Sequence, residues 1–304
     1  MKRIDGLADA IERHTGDADG VLVETRVPQL SLFRVTAPGP WAPALYEPAI
    51  IAVAQGGKEV EVGGVVHRYD PAHYVLASIQ LPAMCRVSKA SPRTPYLALK
   101  VALDPRLVGE LLADGLPVEA AGPPERGLVV TPLDDELQDA IARLVALLDA
   151  PAHIPALAPL VLRELTYRAR SRPQGGRLRQ SVAAGGAGQR VAKAIGWLKA
   201  HAAEPLRMEA VARRVGMGLS AFHGHFKAVT GMSPLQFQKR LRLLEARRLL
   251  VAEGRTAAEA AYEVGYESPS QFSREYRRAF GVPPRQDAVA LRAEPEPAGQ
   301  GAPA

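Results

Sequence analysis

The chain has 304 residues, 47% hydrophobic and 23% charged, with 38 Lys plus Arg against 32 Asp plus Glu and one cysteine, Cys85. That length predicts about two domains, and the balance excludes a disordered or fibrous chain, a disulfide framework and a cysteine-rich zinc module. No uninterrupted apolar run reaches the ~18 residues of a membrane span, and the opening MKRIDGLADAIERHTGD sets acids among its apolar residues, unlike a signal peptide, so the cytoplasm is the expected compartment.

Residues 30–103 carry short apolar runs (LSLFRV, AIIAVA, EVEV, VVHRY, YVLASI, YLALKVAL) at roughly ten-residue spacing, broken by Gly and Pro. Gly63-Gly64 between Glu61-Val62 and Val65-Val66 predicts a two-residue hairpin, and Asp70-Pro71 a second turn. Five or more such strands predict a small antiparallel barrel or sandwich. Helices follow. Asp104-Pro105 supplies an N-cap and a first-turn proline, and Thr131-Pro132 repeats the device ahead of Asp134, Asp135 and Glu136. Leu133, Leu137, Ile141, Leu144 and Leu148 then form one apolar stripe, which either packs on the barrel or forms a dimer seam. Another helix is expected over about 156–170. Residues 171–188 are rich in Gly, Ser and Ala and lack apolar periodicity, like a tether. The expected division is therefore 1–175, a linker over 176–189, a second domain over 190–286 and a disordered tail over 290–304, LRAEPEPAGQGAPA being rich in Pro, Gly and Ala.

Charge divides the same way. Residues 1–188 carry 20 basic and 21 acidic side chains, residues 189–286 carry 17 and 8, and residues 287–304 carry 1 and 3. The basic third also contains a repeat. Ala212, Val215 and Gly216 match Ala261, Val264 and Gly265 at an offset of 49, and Phe222, Phe226, Lys227, Gly231 and Pro234 match Phe272, Tyr276, Arg277, Gly281 and Pro284 at an offset of 50. Each copy reads as helix, tight turn, helix. Thr256 with Glu259 and Ser268 with Gln271 have the spacing of capping boxes.

The second helix of each copy offers a polar outer face: Ser220, His223 and Lys227, then Ser270, Gln271, Ser273, Arg274 and Arg277. Arg and Gln make bidentate contacts to guanine and adenine edges in a major groove. Lys227, Arg240, Ser273 and Arg277 are expected at phosphates, which set affinity rather than sequence. Between the copies, residues 234–254 predict a long helix with Phe237, Leu241, Leu244 and Leu250 inward and Lys239, Arg240, Arg242, Arg247 and Arg248 at the surface. Such a rod sets two recognition helices in successive grooves of double-stranded DNA.

On AVARRVGM, FKAVTGMSPLQFQKRLRLLEARRLL and VGYESPSQFSREYRRAFGVPP, residues 191–285 resemble the DNA-binding domain of the AraC/XylS family of bacterial transcription regulators. The resemblance implies seven helices in two helix-turn-helix units joined by a long helix. It also implies base contacts from Ser220, His223 and Gly224 in the first unit, and from Ser270, Gln271 and Arg274 in the second. Residues 20–175, around LYEPAIIAVAQGGKEVEVGGVVHRYDPAHYVLASIQLPAMCRVSKASPRTPYLALKVALDP, are similar to the N-terminal domain of one AraC-type subgroup. That likeness implies a cupin-like β-barrel with helices, serving as a sensor or dimerisation module. The expected fold class is thus α+β, and the expected partners are promoter DNA, RNA polymerase, a small-molecule effector and a second copy of the chain. Two departures bear on the first unit. Gly218-Leu219 stands where members commonly have Ser-Pro, and Gly224 stands inside the recognition helix where a long side chain is usual. The second unit is therefore expected to carry more of the base readout.

His67 and His73 lie on either side of a turn and Glu59 and Glu61 on the preceding strand, but no His-x-His pair fixes a metal geometry, and neither metal nor cofactor is expected. Cys85 is either a small core residue or a thiol activated by Arg86 for an electrophilic effector. Tyr46 and Tyr74, with Trp41 and Tyr96, are either core aromatics or the lining of an effector pocket. No enzyme activity is expected. A cupin enzyme or an architectural DNA binder carrying the same C-terminal domain are the other readings; a methyl-accepting repair module needs four cysteines, and the chain has one.

Overall fold

Glycine and proline fall where the chain reverses. In the computed structural model, which describes residues 2–113, 126–171 and 186–293, Gly63 and Gly64 take φ of 60° and 84°. They join β5 (Gly57–Val62) to β6 (Val65–Tyr69) in a two-residue hairpin with Val62 opposite Val65. One antiparallel sheet runs, in spatial order, β1 (Leu22–Glu24), β2 (Leu30–Val35), β9 (Tyr96–Ala102), β4 (Ala49–Gln55), β7 (His73–Ala77) and β10 (Leu128–Pro132). The other runs β3 (Ala42–Tyr46), β8 (Leu81–Lys89), β5 and β6.

The inner faces of both sheets share one core, with Phe33, Ile51, Val60, Val75 and Tyr96 among its buried members. The outer face of the six-stranded sheet is buried too, under α1 (Lys2–Thr15), α3 (Asp135–Ala146) and α4 (Ile154–Ser171). Burial on both faces explains why AIIAVA is continuously apolar while GKEVEV, on the other sheet, alternates. The stripe on α3 packs into this layer: Leu137, Ile141 and Leu144 are fully buried against α1, α4 and the sheet, and Leu133 and Leu148 pack partly buried beside them.

Asp104 caps α2 (Pro105–Ala113) by accepting the N–H of Arg106 at 2.8 Å. Thr131-Pro132 behaves otherwise than expected. Both residues end β10, paired with Tyr74 and His73 of β7, and the cap of α3 is Asp134, whose Oδ1 accepts the N–H of Leu137 at 2.9 Å. A strand partner claims Thr131, and the aspartate three residues on takes over the cap. The expected linker and tail fall largely outside the described residues; 290–293 continue the last helix, Pro284–Ala293.

Beyond residue 186 the chain is helical: α5 (Ala187–Ala200), α6 (Met208–Arg214), α7 (Leu219–Thr230), α8 (Pro234–Ala252), α9 (Ala257–Glu263), α10 (Pro269–Phe280) and α11 (Pro284–Ala293). Helices α6–α7 and α9–α10 are the two copies of the repeat. They are seated differently. The core around Phe222, Phe226 and Phe237 is continuous with the inner core of the barrel, whereas Leu249, Ala261, Phe272 and Tyr276 form a separate cluster. The join to the barrel is close: the N–H of Gly127 donates to the carbonyl of Val229 at 2.8 Å, and a Cβ added to Gly63 would stand 2.7 Å from the backbone of Gly231.

Candidate nucleic-acid interface

Each recognition helix is fixed by an aromatic ladder on its inner face. In α7, Phe222 and Phe226 meet edge to face with centroids 5.5 Å apart, and Phe226 meets Phe237 of α8 at 5.3 Å. In α10, Phe272 and Tyr276 meet at 5.4 Å, and Phe272 meets Tyr266 at 5.3 Å. Rings four residues apart share a helix face, so the repeat's aromatic pair alone sets which face is left outside. Both helices end on a left-handed glycine, Gly231 at φ 77° and Gly281 at φ 82°.

Their starts differ. Gly218 caps α7 with no side-chain hydrogen bond, while Ser268 caps α10 by accepting the N–H of Gln271 at 3.3 Å. The reciprocal half of the expected box at Ser268 is replaced: Gln271 turns its amide to Glu275, 3.2 Å away. Thr256 and Glu259 form a complete box at α9, and Ser233 with Gln236 forms one at α8 that the sequence reading passed over.

The outer faces carry the expected side chains. Ser220 and Lys227 are exposed on α7; His223 is half-buried, its ring edge-on to Phe222. Ser270, Gln271, Arg274 and Arg277 are exposed on α10 with Ser273 half-buried, and Arg278, not singled out from sequence, is exposed beside them. Among the described residues, Lys227, Arg274, Arg277 and Arg278 have no acidic partner, so the faces they occupy keep their positive charge.

The long helix departs from expectation. None of the five basic residues expected at the surface of α8 stands free. Lys239 pairs with Glu275 at 2.8 Å, Arg247 with Asp287 at 2.8 Å and Arg248 with Glu245 at 2.7 Å. Arg242 donates to the carbonyls of Ala202 and Gly265 at 2.6 and 2.8 Å. Arg240, expected at a phosphate, sits 3.7 Å from Glu61 of β5, turned to the barrel hairpin. The rod is a scaffold whose charges are spent on holding its neighbours. Counting Arg residues cannot show this: only Arg248 finds its acids nearby in sequence, at Glu245 and Glu253, while Lys239, Arg240 and Arg247 meet carboxylates of other elements and Arg242 meets backbone carbonyls.

Gly224 is exposed, and a Cβ built there meets nothing within 4 Å. No packing reason requires glycine. Gly224→Ala is expected to stabilise the protein by about 1 kcal/mol, read as a higher Tm; an unchanged or lower Tm would show that the helix gains nothing at this position.

The sensor candidates divide. Tyr46 and Tyr96 lie in the inner core with Cys85 and with Tyr69, whose hydroxyl is 3.1 Å from that of Tyr46. Burial pushes all three phenols well above their ordinary pKa. Tyr74 is on the opposite face of the sheet, under the helices, and Trp41 is half-buried beneath the Arg86 guanidinium at 4.8 Å. Arg86 cannot activate Cys85. Neighbours on a strand point to opposite faces: the thiol faces inward, 3% exposed, while Arg86 faces outward and pairs with Glu59 at 2.8 Å. Glu59 is held between Arg68 and Arg86, whose hydrogen bonds keep its carboxyl below the usual range. His73 pairs with Asp70 at 2.8 Å, and Glu61 accepts the N–H of Gly64. Glu59, Glu61 and His73, weighed as metal ligands, are thus directed to separate partners. Lys58, buried on the face of Val60 with its ammonium 5.3 Å over the Phe33 ring, was missed, although the alternation of GKEVEV places it inward.

Residues 26–177 match the family of the AraC-type transcriptional regulator N-terminus, and residues 211–288 match a helix-turn-helix domain. The chain belongs to the AraC-type transcriptional regulators. It is 37% identical over 92 residues to the HTH-type transcriptional activator RhaS of Escherichia fergusonii, a match covering 30% of this regulator and 33% of RhaS. RhaS of Salmonella schwarzengrund matches at 37% over 91 residues, again 30% and 33% of the two chains. The regulator thus matches one third of the length of these relatives. Its overall fold is similar to that of ToxT from Vibrio cholerae, at a TM-score of 0.56 and 11% identity over 86% of this chain and 97% of that one. A second ToxT structure, with unsaturated fatty acid bound, has a TM-score of 0.54 at 10% identity over 86% and 94%. Among the described residues, no single helix is long and apolar enough to cross a membrane.

Proposed function

We propose that the chain is a sequence-specific DNA-binding transcription regulator of the cytoplasm, whose N-terminal domain responds to a small molecule and whose two recognition helices enter successive major grooves of promoter DNA. The observation that carries this reading is the contrast in charge: Lys239, Arg247 and Arg248 of α8 are paired with carboxylates, while, among the described residues, the cations on the outer faces of α7 and α10 are exposed without acidic partners. Ser270, Gln271 and Arg274 read bases, with Ser220 and His223 reading in the next groove. Lys227, Ser273, Arg277 and the added Arg278 meet phosphates, and Arg240 meets the barrel instead.

The effector binds the barrel interior near Tyr46, Tyr69, Tyr96 and Cys85. A small-molecule role for this domain is supported by the fold shared with ToxT, itself found with a fatty acid. Regulation further requires RNA polymerase. A homodimer would use a surface other than the α3 stripe, which is buried within its own domain.

Arg274→Ala is expected to cost about 1–3 kcal/mol at the cognate site and to relax preference at one base pair, while Lys227→Ala weakens all sequences alike and lowers the salt slope by about 1. Binding measured against competitor DNA checks both. A preference for the regulated promoter of about 10³-fold or more is expected; near-equal affinity for every sequence would replace this reading with an architectural binder.

A further inference from the structure

The acid on the DNA-facing helix α10 calls for an explanation. Glu275 lies one turn after Gln271, where its charge opposes that of a phosphate backbone. Its side chain is 18% exposed. Oε1 accepts from Nζ of Lys239 on α8 at 2.8 Å and from Nε2 of Gln271 at 3.2 Å, and Oε2 accepts from the hydroxyl of Tyr266 in the preceding turn at 2.9 Å. Burial pushes the Glu275 carboxyl up, and the hydrogen bonds from Lys239, Gln271 and Tyr266 outweigh it, leaving the group below the usual carboxylate range. It is therefore ionised at neutral pH and can only accept.

An acceptor-only neighbour decides which way a glutamine amide points. The NH2 group of Gln271 must face Glu275, and its carbonyl oxygen must face away. One hydrogen of Nε2 is engaged by Glu275. The other, together with Oε1, remains on the exposed side as an adjacent donor and acceptor. Adenine presents the complement, an N7 acceptor beside an N6 donor.

We propose that Glu275 is a positioning residue that, braced by Lys239 and Tyr266, fixes the Gln271 amide in the orientation that selects adenine. This rests on the reading of Gln271 as a base contact. Glu275 itself touches no base. It acts by removing the flipped amide, which would present its donor and acceptor in reversed order.

The test is selection of binding sites from random double-stranded DNA by the full-length chain, with affinities then measured for single-base variants of the selected site. Gln271→Ala should flatten the preference for adenine at one base pair by about fivefold or more. Glu275→Leu should flatten the same base pair to a similar degree and leave the others unchanged. Glu275→Gln still offers a carbonyl oxygen to Nε2 and to Lys239, and should retain the preference. Glu275→Ser withdraws the carboxylate from the reach of Nε2 without adding an apolar surface and repeats the test independently of Leu packing. If Gln271→Ala flattens one position and neither Glu275→Leu nor Glu275→Ser does, the positioning role is overturned while the base contact stands. A uniform loss over all sequences would reduce Glu275 to a structural brace, which also overturns it. If Gln271→Ala flattens no position, the base contact itself falls, and the inference with it.

Discussion

Asp287→Ala is expected to destabilise the second helix-turn-helix unit by about 3–5 kcal/mol, the range for removing one partner of a buried ion pair. Asp287 opens the last helix and is 6% exposed. Its two oxygens accept from Nε and Nη2 of Arg247 at 2.8 and 3.3 Å, and Oδ2 also accepts from the hydroxyl of Tyr276 at 2.7 Å. Three helices, α8, α10 and α11, are tied at one carboxylate. The Arg247 side chain is only 12% exposed and lies 5.2 Å over the Phe280 ring, so once Asp287 is gone it retains its charge in a site with little access to water. The substitution also removes the carboxylate acceptor of the Tyr276 hydroxyl, whose deprotonation burial and then Asp287 oppose. Because the core of this unit is separate from that shared by the barrel and the first unit, the loss should be local. Hydrogen exchange should show protection falling in α10 and α11 and persisting in the barrel strands, with DNA affinity reduced for every sequence. The paired replacement Arg247→Met with Asp287→Leu should cost much less than Asp287→Ala, since it removes both charges together. Equal costs would mean that the ion pair is not what holds the last helix.

Asp287 also marks where reading the sequence fails. In the charge count it belongs to an acidic tail, because that count ignores which residues meet. The recognition helices were legible for the opposite reason. Phe222 with Phe226, and Phe272 with Tyr276, recur at a helical spacing, and a helix presents whatever lies opposite its anchors. Ser270, Gln271 and Arg274 are therefore exposed on the expected face. The hairpin at Gly63-Gly64 was legible because a two-residue glycine turn is a local constraint. What depends on sequence-distant partners was not: the pairing of Leu128–Pro132 with β7, the carboxylates that Lys239, Arg240 and Arg247 of α8 meet, and the separation of Tyr46 from Tyr74. Strand parity would have recovered part of it. Cys85 and Arg86 are adjacent in sequence and so face opposite sides of β8, and strand geometry alone rules out the activation.

The two turn glycines of the repeat, equivalent in sequence, should respond unequally to the same substitution. Gly216 has φ +67° and Gly265 φ +86°, so alanine at either pays for a left-handed backbone, about 1–2 kcal/mol. Beyond that they part. A Cβ on Gly216 meets nothing within 4 Å, whereas a Cβ on Gly265 would stand 1.9 Å from the carbonyl oxygen of Ala203 and 2.7 Å from its carbon. Both contacts are backbone, and the loop that supplies them is braced by Arg242, which donates to the carbonyls of Ala202 and Glu204 and, from the same guanidinium, to Gly265 itself at 2.8 Å. The loop cannot withdraw without breaking those bonds, so Gly265→Ala carries an overpacking cost of about 1–3 kcal/mol on top of the backbone strain. Urea unfolding should find Gly265→Ala less stable than Gly216→Ala by at least about 1 kcal/mol, and DNA affinity should fall further in the former because the turn sets the angle of α10. Equal stability losses would show that the Ala203 loop yields freely, and that the second unit is not locked to the start of the domain by this contact.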